Sequence, residues 1–443
     1  MLQVFVPENF FPERSYILDV LLGEFLGLEF QVFIAPEKEY RIVCENGNEL
    51  IIRDDFFGSI KEETYLNKEN LPNKIKILGQ SPIYDRSLPI IFGEDYLSIT
   101  QNSINCGADF FASSFFLLTR WEEYVCPQIK GSYEEANRFV LSSRLYKRPL
   151  VNEYVECLWE MLKYLKIQQE RKSRNFSIKL SHNVLHLERW RSFSRVFTNV
   201  AKDIFSHRNW QYAFKDLVSF TNVKCKGKLD PFNNFDDIMQ ISEKWGVKSQ
   251  FNLMAKRKAS FDCSYEIKDN ETMRLVDKIK SRGHDVGLLG SYLSYNQVAQ
   301  STEEKTFFDK TFQFEVAKIS PLGFRFENPT TWQIASDLKY KEISSAALSS
   351  CWGFQSGVCY SFSVFNILSR KKLSLKESPL IIHDQGLEGG IPGLTVSKVI
   401  EKIERLKNLV RRYDGDLVVN WQNAHFKTPQ WENYQSAYES LFV

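Results

Sequence analysis

No two of the eight cysteines stand in a C-x-x-C pair, and none has the spacing of a zinc cluster. Cys44, Cys106, Cys126, Cys157, Cys225, Cys263, Cys351 and Cys359 are scattered singly. This pattern excludes a zinc ribbon and supports no disulfide framework, so free thiols in a reducing compartment are expected. Long apolar runs are also missing. The most apolar early stretch, Tyr16 to Phe33, is interrupted by Asp19, Glu24 and Glu29 and reads as a buried helix and strand, not a membrane span. Met1 to Phe11 lacks a basic segment followed by an apolar one, so no secretory signal is expected and a cytoplasmic location follows. Net charge is only +2 with no basic block, which leaves no argument for nucleic acid. There is no G-x-S-x-G nucleophile elbow. The glycine-rich stretch Gln385 to Gly393 lacks the Gly-Lys-Ser/Thr of a phosphate-binding loop and reads as a loop beside a groove.

What is present is length and pattern. A chain of 443 residues exceeds what one hydrophobic core usually serves, so two units are expected. The 35 Phe, 19 Tyr and 9 Trp read first as core packing. Glu39–Cys44 and Glu49–Ile52 flank Asn46-Gly47-Asn48, a hairpin signal. Ala108 to Tyr124 predicts one buried helix, and Val151, Tyr154, Val155, Leu158, Leu162 and Leu165 recur at helical spacing behind Pro149. The polar, basic run Gln168 to Arg174 reads as a solvated linker. It separates an α/β unit over residues 1–170 from a second unit over 176–443. In the second unit strands and helices alternate: a strand at Phe176–Leu180, a helical face Phe235, Ile238, Met239 and Trp245, and a strand at Ser249–Met254. A helix from Asn270, another carrying Val399, Ile403, Leu406 and Val410, and a strand at Leu417–Val419 follow. Such alternation predicts a parallel sheet, open or closed into a barrel, with its site at the carboxyl ends of the strands.

Three expected strand ends hold the informative residues: Ser181-His182-Asn183-Val184-Leu185-His186, His284-Asp285-Val286-Gly287-Leu288-Leu289-Gly290-Ser291 and Asn420-Trp421-Gln422-Asn423. In order and spacing they resemble the NodB-homology polysaccharide deacetylases, carbohydrate esterase family four, and in particular a bacterial subgroup with an extra N-terminal domain. Cys106 to Tyr124, Val151 to Val155, Phe324 to Trp332 and Gly353 to Phe365 are similar to that subgroup too, which extends the resemblance over most of the chain from about residue 80. The resemblance implies a distorted (β/α) barrel of the polysaccharide deacetylase type, preceded by a smaller α/β N-terminal domain. It also implies metal-dependent removal of acetyl groups from N-acetylated sugars. In the family the first motif reads Thr-His-Asp-Val-Asp and supplies the catalytic base and a metal ligand. The second reads His-Glu-Ile-Gly-Leu-His and supplies two metal histidines, and the last carries a histidine acting as general acid.

At the matching positions this chain has Asn183 for the base, Leu185 for the metal aspartate, His284 as the sole retained metal ligand, Leu289 for the second histidine and Gln422 for the general acid. Leucine has no lone pair, and one imidazole does not make a catalytic metal site, which ordinarily needs three protein ligands. Without the metal, water is not activated at neutral pH. Asn183 cannot take its proton, nor can Gln422 protonate a leaving amine. The expectation is therefore a pseudoenzyme without cofactor that binds a glycan, a glycan precursor or a protein of a polysaccharide pathway. Arg325, Asp384, Trp421 and Asn423 are candidate substrate-binding residues, with Trp332, Trp352 and Tyr360 as further stacking surfaces; Arg325 and Asp384 read equally well as paired with each other or with Glu327. The rival is a working enzyme with a rearranged site, holding one divalent metal such as zinc among His182, His186, His207, His284, His383, His425, Asp285 and Asp384.

Overall fold

The computed structural model describes residues 1–126, 138–190, 210–259, 262–348, 351–388, 395–428, 431 and 434–443. The first eight strands are β1 (Leu2–Val6), β2 (Phe30–Ile34), β3 (Glu39–Val43), β4 (Glu49–Arg53), β5 (Lys76–Leu78), β6 (Leu88–Ile90), β7 (Gly93–Ile99) and β8 (Ser103–Ala108). In β1, Leu2, Val4 and Val6 are buried and Gln3 is exposed, the period of two that puts alternate side chains on one sheet face. β1 and β2 pair in parallel and so need a crossover, which Phe11–Leu18 provides as an α-helix that widens into π-type turns over Asp19–Phe25. β3 and β4 form the expected hairpin, with Gly47 at φ +83° in its turn. The six-stranded sheet runs β2-β1-β3-β4-β8-β7, while β5 and β6 pair separately. Two helices pack on it, Phe110–Leu118 and Leu150–Tyr164, and the stacked rings of Phe110 and Tyr154 lie 4.8 Å apart.

The helix expected through Ala108–Tyr124 is two helices. Arg120 adopts a left-handed conformation (φ 52°) between Phe110–Leu118 and Trp121–Val125. Its guanidinium reaches Glu123 in a fork (2.8 and 2.7 Å) and lies 3.5 Å from the centre of the Phe326 ring. The Gln168–Arg174 stretch is mostly exposed, as expected, yet it is tied to the first unit at three points. Lys172 N donates to Leu26 O at 2.7 Å, Gln169 exchanges two hydrogen bonds with Glu29, and Arg174 reaches Glu24 O.

The remaining strands are β9 (Ser177–Val184), β10 (Ser249–Met254), β11 (Asp285–Gly290), β12 (Lys318–Pro321), β13 (Glu342–Ile343), β14 (Phe362–Asn366), β15 (Lys371–Glu377), β16 (Ile382–His383) and β17 (Asp416–Asn420). They form one sheet, β14-β15-β13-β12-β11-β10-β9-β17-β16, parallel except for the β14–β15 hairpin. Helices cover its outer face, among them Phe235–Lys244 through Phe235, Ile238 and Met239, and Val396–Arg412 through Val399, Ile403, Leu406 and Val410. β15 and β16 are nearly one stretch of chain. Glu377 pairs with Ile343 on β13, and Ser378 N donates to Ile343 O. Ile381 N donates to Val418 O, and Ile382 pairs with Val419 on β17. Residues 377–383 thus bridge the sheet's two sides, and the second unit is an α/β barrel-like fold. No helix among the described residues is long and apolar enough to cross a membrane.

Candidate functional site

Parallel pairing places Asn183 level with Asn252 and Asn252 level with Gly287. Their side chains meet inside the barrel. Asn252 Nδ2 donates to Asn183 Oδ1 at 2.8 Å, and Gln250 Nε2 donates to Asn252 Oδ1 at 2.6 Å. Gly287 leaves room for this row, since a Cβ there would lie 2.2 Å from Asn252 Oδ1. One row nearer the strands' carboxyl ends stand Met254, Leu289 and Ser320 in register, with Leu185 one residue past Val184, the partner of Leu253. Two residues on in a strand is the same face, so Leu185 and Leu289 lie above the asparagine row. Leu289 is fully buried, and Leu185 is partly buried against the same core.

On the rim, Asp384 follows β16 and is fully buried. Its Oδ2 accepts from Gln422 N at 2.5 Å and shares a hydrogen bond with His425 Nδ1 at 2.8 Å. The His425 ring stacks on Trp431, with centroids 4.1 Å apart. Arg325 makes neither of the expected ion pairs among the described residues. Its guanidinium lies 3.8 Å from the Tyr292 ring centre and 4.1 Å from that of Tyr295, and its buried Nε and Nη1 have no hydrogen-bond acceptor there. Burial lowers its pKa.

His284 does not belong to this site. It precedes β11, three residues before Gly287, which at strand rise puts it about 10 Å below the asparagine row. Its Nδ1 accepts from Ser249 N at 3.0 Å, and its Nε2 faces Glu243 at 3.3 Å. Burial lowers its pKa against the opposing pull of Glu243. The motif's spacing misleads here because the strand begins at Asp285, so His284 opens it while Leu289 stands near its other end. His182 is also outside the site, since neighbouring side chains on a strand point to opposite faces. It packs against Phe251 and Tyr438 and bonds Trp421 O at 2.6 Å. Trp421 and Asn423, expected to meet ligand, are buried framework. Trp421 Nε1 donates to His425 O, and Asn423 Nδ2 holds the carbonyls of His186 and Phe232. Trp332 likewise is buried on Glu377. Trp352 and Tyr360 are buried as well, held on His383 O and Tyr413 O. His207 and most of the glycine-rich Gln385–Gly393 stretch lie outside the described residues.

A divalent metal does not fit the donor set at the motif positions: two leucines offer no lone pair, and the one histidine stands at the other end of its strand. Among the described residues no three His, Cys, Asp or Glu side chains gather as a metal site. Sequence reasoning missed Asn252, whose place two residues into β10 from Gln250 carried the signal of alternation. It considered His425 only as a metal ligand, whereas its contact is a carboxylate brought from β16.

Residues 2–167, less than half of the chain, match a family of unknown function (DUF7033). No curated protein matches. Solved structures similar to this chain include a protein of Mycobacterium smegmatis assigned as a polysaccharide deacetylase, at 11% identity, TM-score 0.39, covering 61% of this chain and 83% of that one. A CE4-family pseudoenzyme of Bacillus anthracis aligns at 10% identity, TM-score 0.30, over 60% and 59% of the two chains. A polysaccharide deacetylase of Bacillus cereus aligns at 10% identity, TM-score 0.31, over 60% and 86%. Scores this low leave the fold to be read from the sheet itself.

Proposed function

We propose that this chain is a non-catalytic, polysaccharide-deacetylase-like protein whose barrel serves as a scaffolding or glycan-binding component of bacterial surface-polysaccharide metabolism. The observation that carries this reading is the row Leu185, Met254, Leu289 and Ser320, which fills the carboxyl end of the barrel with three apolar side chains where the family's motifs would place metal ligands. Below it the base position is Asn183, an amide locked to Asn252. The leucine filling favours a scaffold over an open groove at this end. A second reading, a rearranged hydrolytic site, is favoured by one contact: the buried Asp384 carboxylate holding His425 Nδ1, an arrangement that can orient an imidazole for proton transfer. The test is elemental analysis of protein purified without chelator, together with acetate release from N-acetylated oligosaccharides. The expected result is substoichiometric zinc and no release. One zinc per chain, or acetate release that His425→Ala abolishes, overturns the proposal.

A further inference from the structure

At the other end of the barrel, where the strands begin, lies an open cleft of about 530 Å³. Small-molecule sites typically span about 300–1,000 Å³, so its size suits a ligand of one or two sugar rings. Five successive strands each send a polar side chain from their opening residues into it: Lys179 on β9, Gln250 on β10, Asp285 on β11, Lys318 on β12 and Glu342 on β13. This is the end of a (β/α) barrel that ordinarily serves stability.

The lining is of both signs at close range. Lys318 Nζ stands 2.9 Å from Asp285, and Lys179 Nζ is 2.8 Å from Asp416 and 2.9 Å from Ser361 Oγ. The Glu342 carboxylate lines the cleft with no hydrogen bond or ion pair of its own among the described residues. Ser181, Ser344 and Ser378 add hydroxyl or backbone edges. Gln250 is fixed from above, because its Nε2 is committed to Asn252, which is committed in turn to Asn183. A compact anion here would meet Asp285 and Glu342, and a cation would meet Lys179 and Lys318. Groups that donate and accept at once, vicinal hydroxyls, satisfy both kinds of partner. Phe176 on the wall supplies an apolar face for the C–H side of a sugar ring.

We infer that this amino-end cleft is a binding site for a neutral, polyhydroxylated ligand of the hexose class. The inference does not rest on the reading of the opposite end: a metal found beside Leu289 would leave it standing.

The test uses the full chain and saturation-transfer NMR with glucose and N-acetylglucosamine as probes. Ring protons of at least one sugar should receive saturation. Glu342→Ala and Lys318→Ala, both partly exposed positions, should each weaken binding about tenfold, the loss of one hydrogen bond to a charged group. In the unaltered chain, the bound sugar should also shield Lys179 and Lys318 from acetylation by an activated ester, read by mass spectrometry. Saturation of neither sugar at millimolar concentration overturns the inference. So does binding that leaves both lysines equally reactive, or displacement of the sugar by inorganic phosphate, which would mark an anion site instead.

Discussion

His182 shows what burial does to a single imidazole of the first strand end. It is 1% exposed, bonds Trp421 O through Nδ1 and Ser249 Oγ through Nε2, and burial pushes its pKa down to about 4. The free imidazole titrates near 6.5, so the unfolded chain takes up a proton from solution before the folded one does. The neutral ring's contribution is therefore intact at pH 7 and is lost as pH falls from about 6.5 toward the folded value. Between pH 7 and pH 5 that loss amounts to about 2 kcal/mol. Urea unfolding of the native chain and of His182→Gln at both pH values checks it: the native chain should lose about 2 kcal/mol more on acidification than the variant. Equal losses would mean that His182 is charged in the fold. His182 is thus a framework residue, and Asn183 and Leu185 beside it carry an amide and an apolar side chain.

At the scale of elements, β13 to β15 is one of three joins in the barrel sheet, with β12 to β13 and β16 to β17, that pair over only two residues each. The side chain of Glu377 reinforces it. Its Oε1 accepts from the amides of Ser345 and Ala346 at 2.8 and 3.0 Å, and its Oε2 accepts from Ser345 Oγ and Trp332 Nε1 at 2.6 and 2.9 Å. Burial raises this carboxyl's pKa while Arg120, from the first unit, opposes the shift. Arg120 in turn donates to Ser345 Oγ at 3.1 Å. Removing this buried carboxylate leaves four donors without their acceptor, together about 3–5 kcal/mol, while Arg120 keeps its ion pair with Glu123. Glu377→Ala should accordingly lower the unfolding free energy by about 3–5 kcal/mol in chemical denaturation. A loss under about 1 kcal/mol, the worth of an exposed pair, would show that the join does not depend on it.

Across the whole molecule, the two sheets are joined through the β14–β15 hairpin. Tyr16 and Tyr65 hydroxyls donate to Ser363 O and Ile367 O, each at 2.9 Å. Arg370 forks onto Glu13 at 2.8 Å through Nε and Nη2 and reaches Glu62 through Nη1 at 2.6 Å. Glu13 is fully buried, so without Arg370 it would be an unpaired interior charge. One hydrophobic cluster runs through both sheets without a gap. Thermal unfolding of the full chain should therefore show one cooperative transition, and Arg370→Ala should lower its midpoint while keeping it single. Two separated calorimetric peaks would mean that the units fold independently.

Several elements could be read from local sequence alone. The β3–β4 hairpin, the helices Leu150–Tyr164 and Val396–Arg412 and the strands β10 and β17 each follow from an apolar period or a turn residue within a few positions. That Asn183, Leu185, Leu289 and Gln422 carry neither carboxylate nor imidazole is equally a property of the residues themselves, because no fold can give leucine a lone pair. What the sequence left open depended on register and distance. His284 looked like a site residue until the start of β11 put it at the far end of the strand. Asp384 and His425 meet only because β16 and β17 are neighbours, and Arg120 finds Glu377 across more than 250 residues of chain. The amino-end cleft exists because five strands begin at one level around a curled sheet, an alignment set by parallel pairing rather than by any one segment.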